Sequence, residues 1–234
     1  RYISVTGVQT CALPIFALRG VAVILIERDQ PASGASGNPV AVVRPEPGGV
    51  ENVIAEFSAV GVGWLQRWLA VNGESVPHDF CGAIRIMRDQ RRHDKLAAYS
   101  KTVPDDWLHE ISDNNAVTMC GQSVASDAFF LPQAGWVDPR ALVAALIDHP
   151  LITLTSHTEV TRLSLASNDV WRVQLNTGET LLSSHVVLTT AFDELSSQVL
   201  GVDRARGQLS FLPERVDKKL RSIVCRDGYV TPAI

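Results

Sequence analysis

Apolar residues near the start of the chain form a continuous run rather than an alternating one. Val21–Ile26 is apolar and largely β-branched, and it follows a short segment, Phe16–Arg19, that Gly20 would end. A helix closed by glycine and followed by an unbroken apolar strand is typical of parallel sheets covered on both faces. The pattern therefore predicts the helix and the second strand of a βαβ unit.

Later segments show helical spacing or strict alternation. Apolar residues at helical spacing predict a helix over Ile54–Leu69, and an N-cap followed by proline, Asp138-Pro139, predicts another over Arg140–Asp148. Alternation from Val160 onward, with a turn at Asn176–Gly178, predicts a β-meander. The other predicted elements are a charged helix near Arg91–Ser100 and strands at Ala83–Met87, Ala128–Leu131, Leu151–Thr155 and Ser184–Leu188.

The order of these elements predicts an α/β fold with two lobes that interleave along the chain. We assign residues 16–46 and 134–200 to a Rossmann-like, dinucleotide-binding lobe, and residues 47–133 and 201–234 to an incomplete α+β lobe. We expect the fold to be truncated at both ends, because residues 227–234 read as the beginning of a strand pair.

The first residues have an unusual sequence. Val5–Ile15 resembles the translation of a common sequencing-adapter oligonucleotide, so we interpret residues 1–15 as an artefact joined to a natural sequence near Phe16. On this interpretation the sheet lacks its central first strand. The glycine-rich G-x-G-x-x-G loop expected after such a strand is also absent from the sequence.

Composition excludes several classes of protein. With 234 residues, 46% of them apolar, the chain can bury a core, and its net charge of −4 is unlike that of a uniformly basic nucleic-acid-binding protein. Its longest apolar runs are far shorter than the ~20 residues of a membrane span. The four cysteines are widely spaced, without a zinc-like pattern, which predicts reduced thiols, no metal site and a cytoplasmic location.

Two segments could bind a nucleotide. Glu27 closes the predicted second strand, where an acidic residue of a dinucleotide fold binds the ribose hydroxyls. Ser33–Asn38 is rich in small residues and could present backbone N–H groups to a phosphate. A solvated strand-end carboxylate and an ordinary surface turn are the alternative interpretations.

Several short motifs together resemble one family. They occur in the order found in the glycine-oxidase-like FAD enzymes of the D-amino-acid-oxidase superfamily, and in particular in the oxidoreductase domain of the tRNA-modifying MnmC enzymes. The motifs are Glu27–Asp29, Gly34–Pro39, Gly135–Pro139, Arg206–Ser210 and Gly228–Pro232.

This resemblance implies an FAD-binding lobe with a substrate lobe over the flavin. The implied reaction is oxidative removal of the carboxymethyl group from 5-carboxymethylaminomethyl-2-thiouridine at the tRNA wobble position, which leaves the aminomethyl form. It also implies tRNA as a partner and a fused or separate methyltransferase domain. A free glycine or sarcosine oxidase and a truncated remnant without catalytic activity are the alternatives.

The resemblance also implies roles for individual residues. Glu27, with Arg28 beside it, would hold the ribose, Val160 would contact adenine through its backbone, and Thr190 would lie where the chain returns to the dinucleotide. Tyr229 would face the substrate, whereas the arginine that clamps the substrate carboxylate would lie beyond residue 234. The residues implied to line the pyrophosphate and flavin are Ala35, Ser36, Gly37 and Asn38.

A basic group lies in the predicted α+β lobe. It could meet tRNA phosphates, although such a run is more often a solvated helix face. Its members are Arg85, Arg88, Arg91, Arg92 and Lys95.

Overall fold

The computed structural model describes residues 2–6, 12–48, 52–166, 169–190, 207–213 and 219–234. Numbered in chain order, the helices are α1 Ala12–Leu18, α2 Val53–Asn72, α3 Gln90–Ser100, α4 Asp113–Cys120 and α5 Pro139–Ile147. The strands are β1 Tyr2–Thr6, β2 Val23–Ile26, β3 Ala41–Val43, β4 His78–Asp79, β5 Ala83–Arg85, β6 His109–Ile111, β7 Ala128–Leu131, β8 Gly135–Val137, β9 Ile152–Thr155, β10 Val160–Leu165, β11 Trp171–Leu175, β12 Thr180–Ser183, β13 His185–Thr189, β14 Ile223–Cys225 and β15 Tyr229–Val230.

The chain divides into two compact units, each made of two segments. The first unit comprises residues 1–39 and 138–209, and the second comprises residues 40–137 and 210–234. The first two boundaries lie at 39/40 and 137/138, whereas we expected 46/47 and 133/134. The largest difference is at the last boundary, which we expected after residue 200.

A parallel four-stranded sheet forms the centre of the first unit, with the strand order β13-β1-β2-β9. Side chains of β2 alternate between its two faces, as a strand requires. Val23 and Leu25 pack with Phe16 of α1 and Ile147 of α5 on one face. Ile24 and Ile26 pack against the antiparallel meander β10-β11-β12 on the other. Burial on both faces explains why the sequence of β2 is uninterrupted in its apolar character.

Local signals fix the two helices beside this sheet. Gly20 ends the segment after α1 with a φ of +77°, and its N–H donates to the carbonyl of Ala17 at 2.9 Å. At the start of α5, the carboxylate of Asp138 accepts hydrogen bonds from the N–H groups of Arg140 at 2.8 Å and Ala141 at 3.2 Å. The predicted N-cap is therefore confirmed.

The structure corrects one expectation about the sheet. We expected its central first strand to be missing, but Tyr2–Thr6 forms β1 and pairs in parallel with both β2 and β13. The interpretation of residues 1–15 as translated adapter stays a prediction. Whatever the origin of these residues, they supply a strand at the position where a βαβ unit requires one.

The second unit contains a mixed five-stranded sheet, β15-β14-β5-β7-β6, and a three-stranded sheet, β3-β8-β4. On one face of the larger sheet, Ala83 and Phe129 pack with Leu96 of α3 and with Trp136 of β8. On the opposite face, Ile84 packs with residues of α4. The predicted helix over Ile54–Leu69 is present as α2, which continues through Gly61 and Gly63. No helix in the described part of the chain is long and apolar enough to cross a membrane.

Candidate functional site

The carboxyl ends of the four parallel strands lie at one edge of the first unit, which we call the carboxyl edge. Residues at the ends of β1, β2, β9 and β13 are in register, since Thr6 pairs with Thr189 and Ile26 pairs with Thr155. Within the sheet, β2 is the neighbour of β1 on one side and β13 is its neighbour on the other, so the strand order changes direction at β1. Ligands of open α/β sheets bind at such a change of direction.

Glu27 is the first residue after β2 and lies at the carboxyl edge, half-buried. Its Oε1 accepts a hydrogen bond from the N–H of Asp29 at 3.0 Å, which orients the carboxylate. Its main chain is fixed on both sides, because its N–H donates to the carbonyl of Thr155 at 2.9 Å and its carbonyl accepts from the N–H of Thr158 at 3.0 Å. A rigid backbone with an oriented carboxylate suits recognition of two neighbouring hydroxyl groups.

The structure brings Arg28, Val160 and Thr190 to the same edge of the first unit. The guanidinium of exposed Arg28 lies 3.8 Å from the carboxylate of Glu159, next to Val160. The side chain of Val160 is buried in the same apolar cluster as Ile26. Thr190 directly follows β13. Glu27 and these three predicted residues therefore occupy one side of the unit, although they come from three distant parts of the sequence.

The predicted residues Ala35–Asn38 occupy a separate turn. Ala35–Gly37 forms one turn of 3-10 helix that packs against α5, and Asn38 closes it by donating from Nδ2 to the carbonyl of Ala35 at 2.9 Å. A Cβ at position 37 would lie 2.8 Å from the carbonyl oxygen of Ala32. Only glycine fits there, so at least this glycine serves the turn itself.

Tyr229 lies in the second unit, on strand β15 at the end of the five-stranded sheet. It is 40% exposed and pairs with Cys225 of β14. Cys225 pairs in turn with Arg85 of β5, which pairs with Phe129 of β7. Directly paired residues project from the same face of a sheet. Tyr229, Cys225, Arg85 and Phe129 therefore form one row, which we call the strand row.

Charged groups surround one part of the strand row. Arg85 Nη1 lies 3.0 Å from Oε1 of Glu46, and Arg44 Nη1 lies 2.5 Å from Oε2 of the same carboxylate. Burial raises the pKa of the Cys225 thiol, although the charges of Arg44 and Arg85 oppose that increase. The thiol therefore stays protonated at neutral pH and is a poor nucleophile.

The sequence did not reveal this charged group. Arg85 appeared as one member of a basic run, at the position of the predicted strand Ala83–Met87, and the structure places it on β5, the central strand of the five-stranded sheet. Two other members of the run have different ion-pair partners. Arg88 forms an ion pair with Asp227, and Arg92 lies 3.5 Å from Asp89. An arginine directly after the buried pair Ala83-Ile84 was the available signal.

Comparison with known proteins identifies the family. Residues 7–233 match the DAO family, described as FAD dependent oxidoreductase. This chain belongs to that family. The resemblance to glycine-oxidase-like FAD enzymes is thus confirmed, and the chain is an oxidoreductase domain by its family.

Curated relatives are bifunctional proteins of tRNA modification. The chain is 32% identical over 233 residues to the tRNA 5-methylaminomethyl-2-thiouridine biosynthesis bifunctional protein MnmC of Ectopseudomonas mendocina, covering 97% of this chain and 35% of that protein. The MnmC of Thiobacillus denitrificans is 34% identical over 222 residues, with 92% of this chain and 36% of that protein covered. The chain therefore spans about a third of the length of these relatives.

Solved structures share the fold at lower identity. Glycine oxidase from Geobacillus kaustophilus has a TM-score of 0.74 and 16% identity, over 98% of this chain and 67% of that one. L-proline dehydrogenase from P. horikoshii has a TM-score of 0.76 and 15% identity, over 100% of this chain and 67% of that one. The predicted α/β fold is confirmed.

The residues of the first unit fit the adenosine half of FAD in one respect and depart from it in another. The change of direction at β1 and the oriented carboxylate of Glu27 meet the needs of a ribose. Between β1 and α1, however, the sequence is Gly-Val-Gln-Thr-Cys, with one glycine where dinucleotide-binding enzymes carry a glycine-rich loop. Those five residues lie outside the described residues.

Proposed function

We propose that this chain is the FAD-dependent domain that removes the carboxymethyl group from 5-carboxymethylaminomethyl-2-thiouridine at the tRNA wobble position. The observation that carries the proposal is its similarity to MnmC proteins, at 32% and 34% identity over nearly the whole chain. Glycine oxidase shares the fold at only 16% identity. The substrate contains a glycine unit, so the same fold serves both reactions.

We assign the cofactor to the carboxyl edge. Glu27 would accept hydrogen bonds from the ribose hydroxyls, with Arg28 beside it and the backbone of Val160 against adenine. Thr190 would lie near the dinucleotide, and Ala35–Asn38 would line the pyrophosphate and the flavin. The oriented carboxylate of Glu27 supports this assignment. FAD, when bound, supplies the acceptor for the hydride that leaves the substrate methylene.

The protein's own contribution is to bind and orient the substrate. Tyr229 would donate a hydrogen bond from its phenol to the substrate carboxylate. Loss of a hydride from the methylene and a proton from the amine leaves a C=N bond, and water then cleaves it. The products are the aminomethyl nucleoside and glyoxylate, so the carbon–nitrogen bond is broken without a protein nucleophile.

The proposal includes partners and a location. The substrate is a tRNA, and the amine product would pass to a methyltransferase domain, as the bifunctional relatives have two activities by name. A cytoplasmic location follows from that substrate. A free amino-acid oxidase is the second candidate, because glycine oxidase shares the fold over 98% of this chain.

The test compares the candidate substrates on the full chain reconstituted with FAD. One sample receives tRNA bearing the carboxymethylaminomethyl group, and others receive glycine or sarcosine. We expect mass spectrometry of the tRNA nucleosides to show the aminomethyl form and glyoxylate to appear in equal amount. Oxidation of glycine without change in the tRNA would favour the free amino-acid oxidase, and a chain that does not take up FAD and oxidises none of them would favour the remnant.

A further inference from the structure

A bridged pair of arginines lies in the second unit, and the family resemblance gives it no role. The carboxylate of Glu46 lies between the guanidinium groups of Arg44, at 2.5 Å, and Arg85, at 3.0 Å. The three side chains are 29%, 26% and 37% exposed for Arg44, Arg85 and Glu46 respectively. They are thus accessible to a small ligand but partly shielded from water. A charged hydrogen bond is stronger in such shielded surroundings than in water.

Neighbouring contacts hold the bridge in place. Pro45, between Arg44 and Glu46, is fully buried. The N–H of Glu46 donates to Oγ of Ser58 at 2.8 Å, and that hydroxyl donates to the carbonyl of Ala55 at 2.8 Å. Arg85 is the last residue of β5, which pairs with a strand on each side. The backbone positions of Arg44 and Arg85 are therefore fixed independently of each other.

The bridge has positive charge and hydrogen-bond donors to spare. Two guanidinium groups and one carboxylate leave a net charge of one positive unit. Each guanidinium has five N–H donors, and the contacts described for Arg44 and Arg85 use only Nη1 of each. A second carboxylate would balance the charge and suits the planar fork of an arginine.

The strand row places Tyr229 on the same side of the sheet as Arg85. Cys225 lies directly between them in the register. Strands are spaced by about 4.8 Å, so the two Cα atoms are separated by about 10 Å. Long side chains span such a distance, which lets a phenol and a guanidinium address one small ligand over the buried Cys225.

We propose that Arg85 and Arg44, bridged by Glu46, bind the carboxylate of the substrate's N-carboxymethyl group, with Tyr229 of the same strand row beside it. This inference rests on the proposed function and deepens it. It locates a carboxylate clamp within residues 44–85 of this chain. Arg85 and Arg44 act here as positioning groups that fix the methylene by holding the neighbouring carboxylate.

Binding measurements with matched ligands test the clamp without turnover. The full chain is titrated calorimetrically with 5-carboxymethylaminomethyl-2-thiouridine nucleoside and with the corresponding carboxamide, which has the same shape but no charge. We expect the wild-type chain to bind the carboxylate about tenfold or more tightly than the amide. In Arg85→Gln this preference should disappear, and Arg85→Lys should restore part of it as a point charge.

Arg92→Gln is the matched control, because Arg92 is an exposed arginine of the same unit paired with Asp89. It should keep the full preference for the carboxylate. Thermal unfolding checks that each variant folds, and Arg44→Gln takes the place of Arg85→Gln if the latter does not. Equal binding of carboxylate and amide by the wild-type chain, or an unchanged preference in the folded arginine variant, would overturn the proposal.

The outcome is separable from that of the proposed function. A chain that oxidises the modified tRNA but shows no effect of Arg85→Gln on carboxylate preference retains the function and loses the clamp. A chain that prefers the carboxylate through Arg85 but leaves the tRNA unchanged retains the clamp and loses the proposed tRNA activity.

Discussion

The two large sheets of this chain present functional groups in different ways. In the parallel sheet of the first unit, the candidate cofactor residues follow the strands, at the carboxyl edge, and the faces are covered by helices and by the meander. In the mixed sheet of the second unit, the candidate substrate residues lie on the strands themselves, in the strand row. The first arrangement leaves the core apolar, whereas the second requires charge next to it.

This difference governs how each sheet tolerates charge. Glu27 lies one residue beyond the buried strand, so its carboxylate reaches solvent without disturbing Ile26. Arg85 lies on the strand itself, directly after the fully buried residues Ala83 and Ile84, and the carboxylate of Glu46 balances its charge. A charge that is partly shielded from water in this way needs an oppositely charged partner, because an unpaired charge there is costly.

The largest expected effect concerns how tightly the second unit is packed. Gly82, just before β5, has a φ of +77°, and a Cβ on it would overlap with the ring of Phe130 at Cζ. Gly82→Ala should lower the free energy of unfolding by about 3 kcal/mol or more, from backbone strain and overpacking together. Urea unfolding measures the total, and amide hydrogen exchange resolved by peptide shows which unit opens.

Gly178→Ala is the matched variant in the first unit. Gly178 has a φ of +86° in the turn between β11 and β12, and among the described residues no atom lies within 4 Å of the position that a Cβ would take there. The cost should be only that of the backbone conformation, about 1 kcal/mol. Equal losses of unfolding free energy in Gly82→Ala and Gly178→Ala would show that the packing around Gly82 is no tighter than the packing around Gly178.

The smallest expected effect is a pH-dependent contribution of Asp113 in the second unit. Its carboxylate accepts hydrogen bonds from the hydroxyl of Ser123 and from the N–H groups of Val124 and Ala125, which lower its pKa. A lowered pKa in the folded state means stability that is present above the ordinary value of about 3.9 and is lost as the pH falls. Asp113→Asn should therefore be less stable than wild type at pH 7.

Thermal unfolding between pH 7 and pH 3 measures that difference. The gap in Tm between wild type and Asp113→Asn should narrow as the pH falls below about 4. A gap that stays constant over this range would mean that the hydrogen bonds to the carboxylate do not depend on its charge.

The sequence predicted the first unit better than the second for a physical reason. Val21–Ile26 and Asp138-Pro139 are local signals, because a doubly covered strand and a helix N-cap each depend on a few consecutive residues. The strand row depends instead on the register of β5, β14 and β15. More than a hundred residues of sequence separate β5 from β14. Nothing in the sequence near Arg85 indicates Glu46 as its partner.

One local expectation was wrong for a similar reason. The resemblance of Val5–Ile15 to an adapter led us to expect a missing central strand, yet Tyr2–Thr6 pairs with β2 and β13. A short alternating segment suits a gap between two parallel strands whatever its origin, because main-chain hydrogen bonds, which do not depend on side-chain identity, hold much of the pairing.

The most direct test of the central claim is the affinity of the carboxyl edge for FAD. Quenching of flavin fluorescence is followed as the full chain is added to FAD, for wild type, Glu27→Gln and Glu159→Gln. Glu159 is the control, since it is an exposed carboxylate at the same edge, 3.8 Å from Arg28. We predict that Glu27→Gln raises the Kd about tenfold or more and that Glu159→Gln leaves it nearly unchanged. Equal affinities of wild type and Glu27→Gln, or no binding by the wild-type chain, would contradict the account.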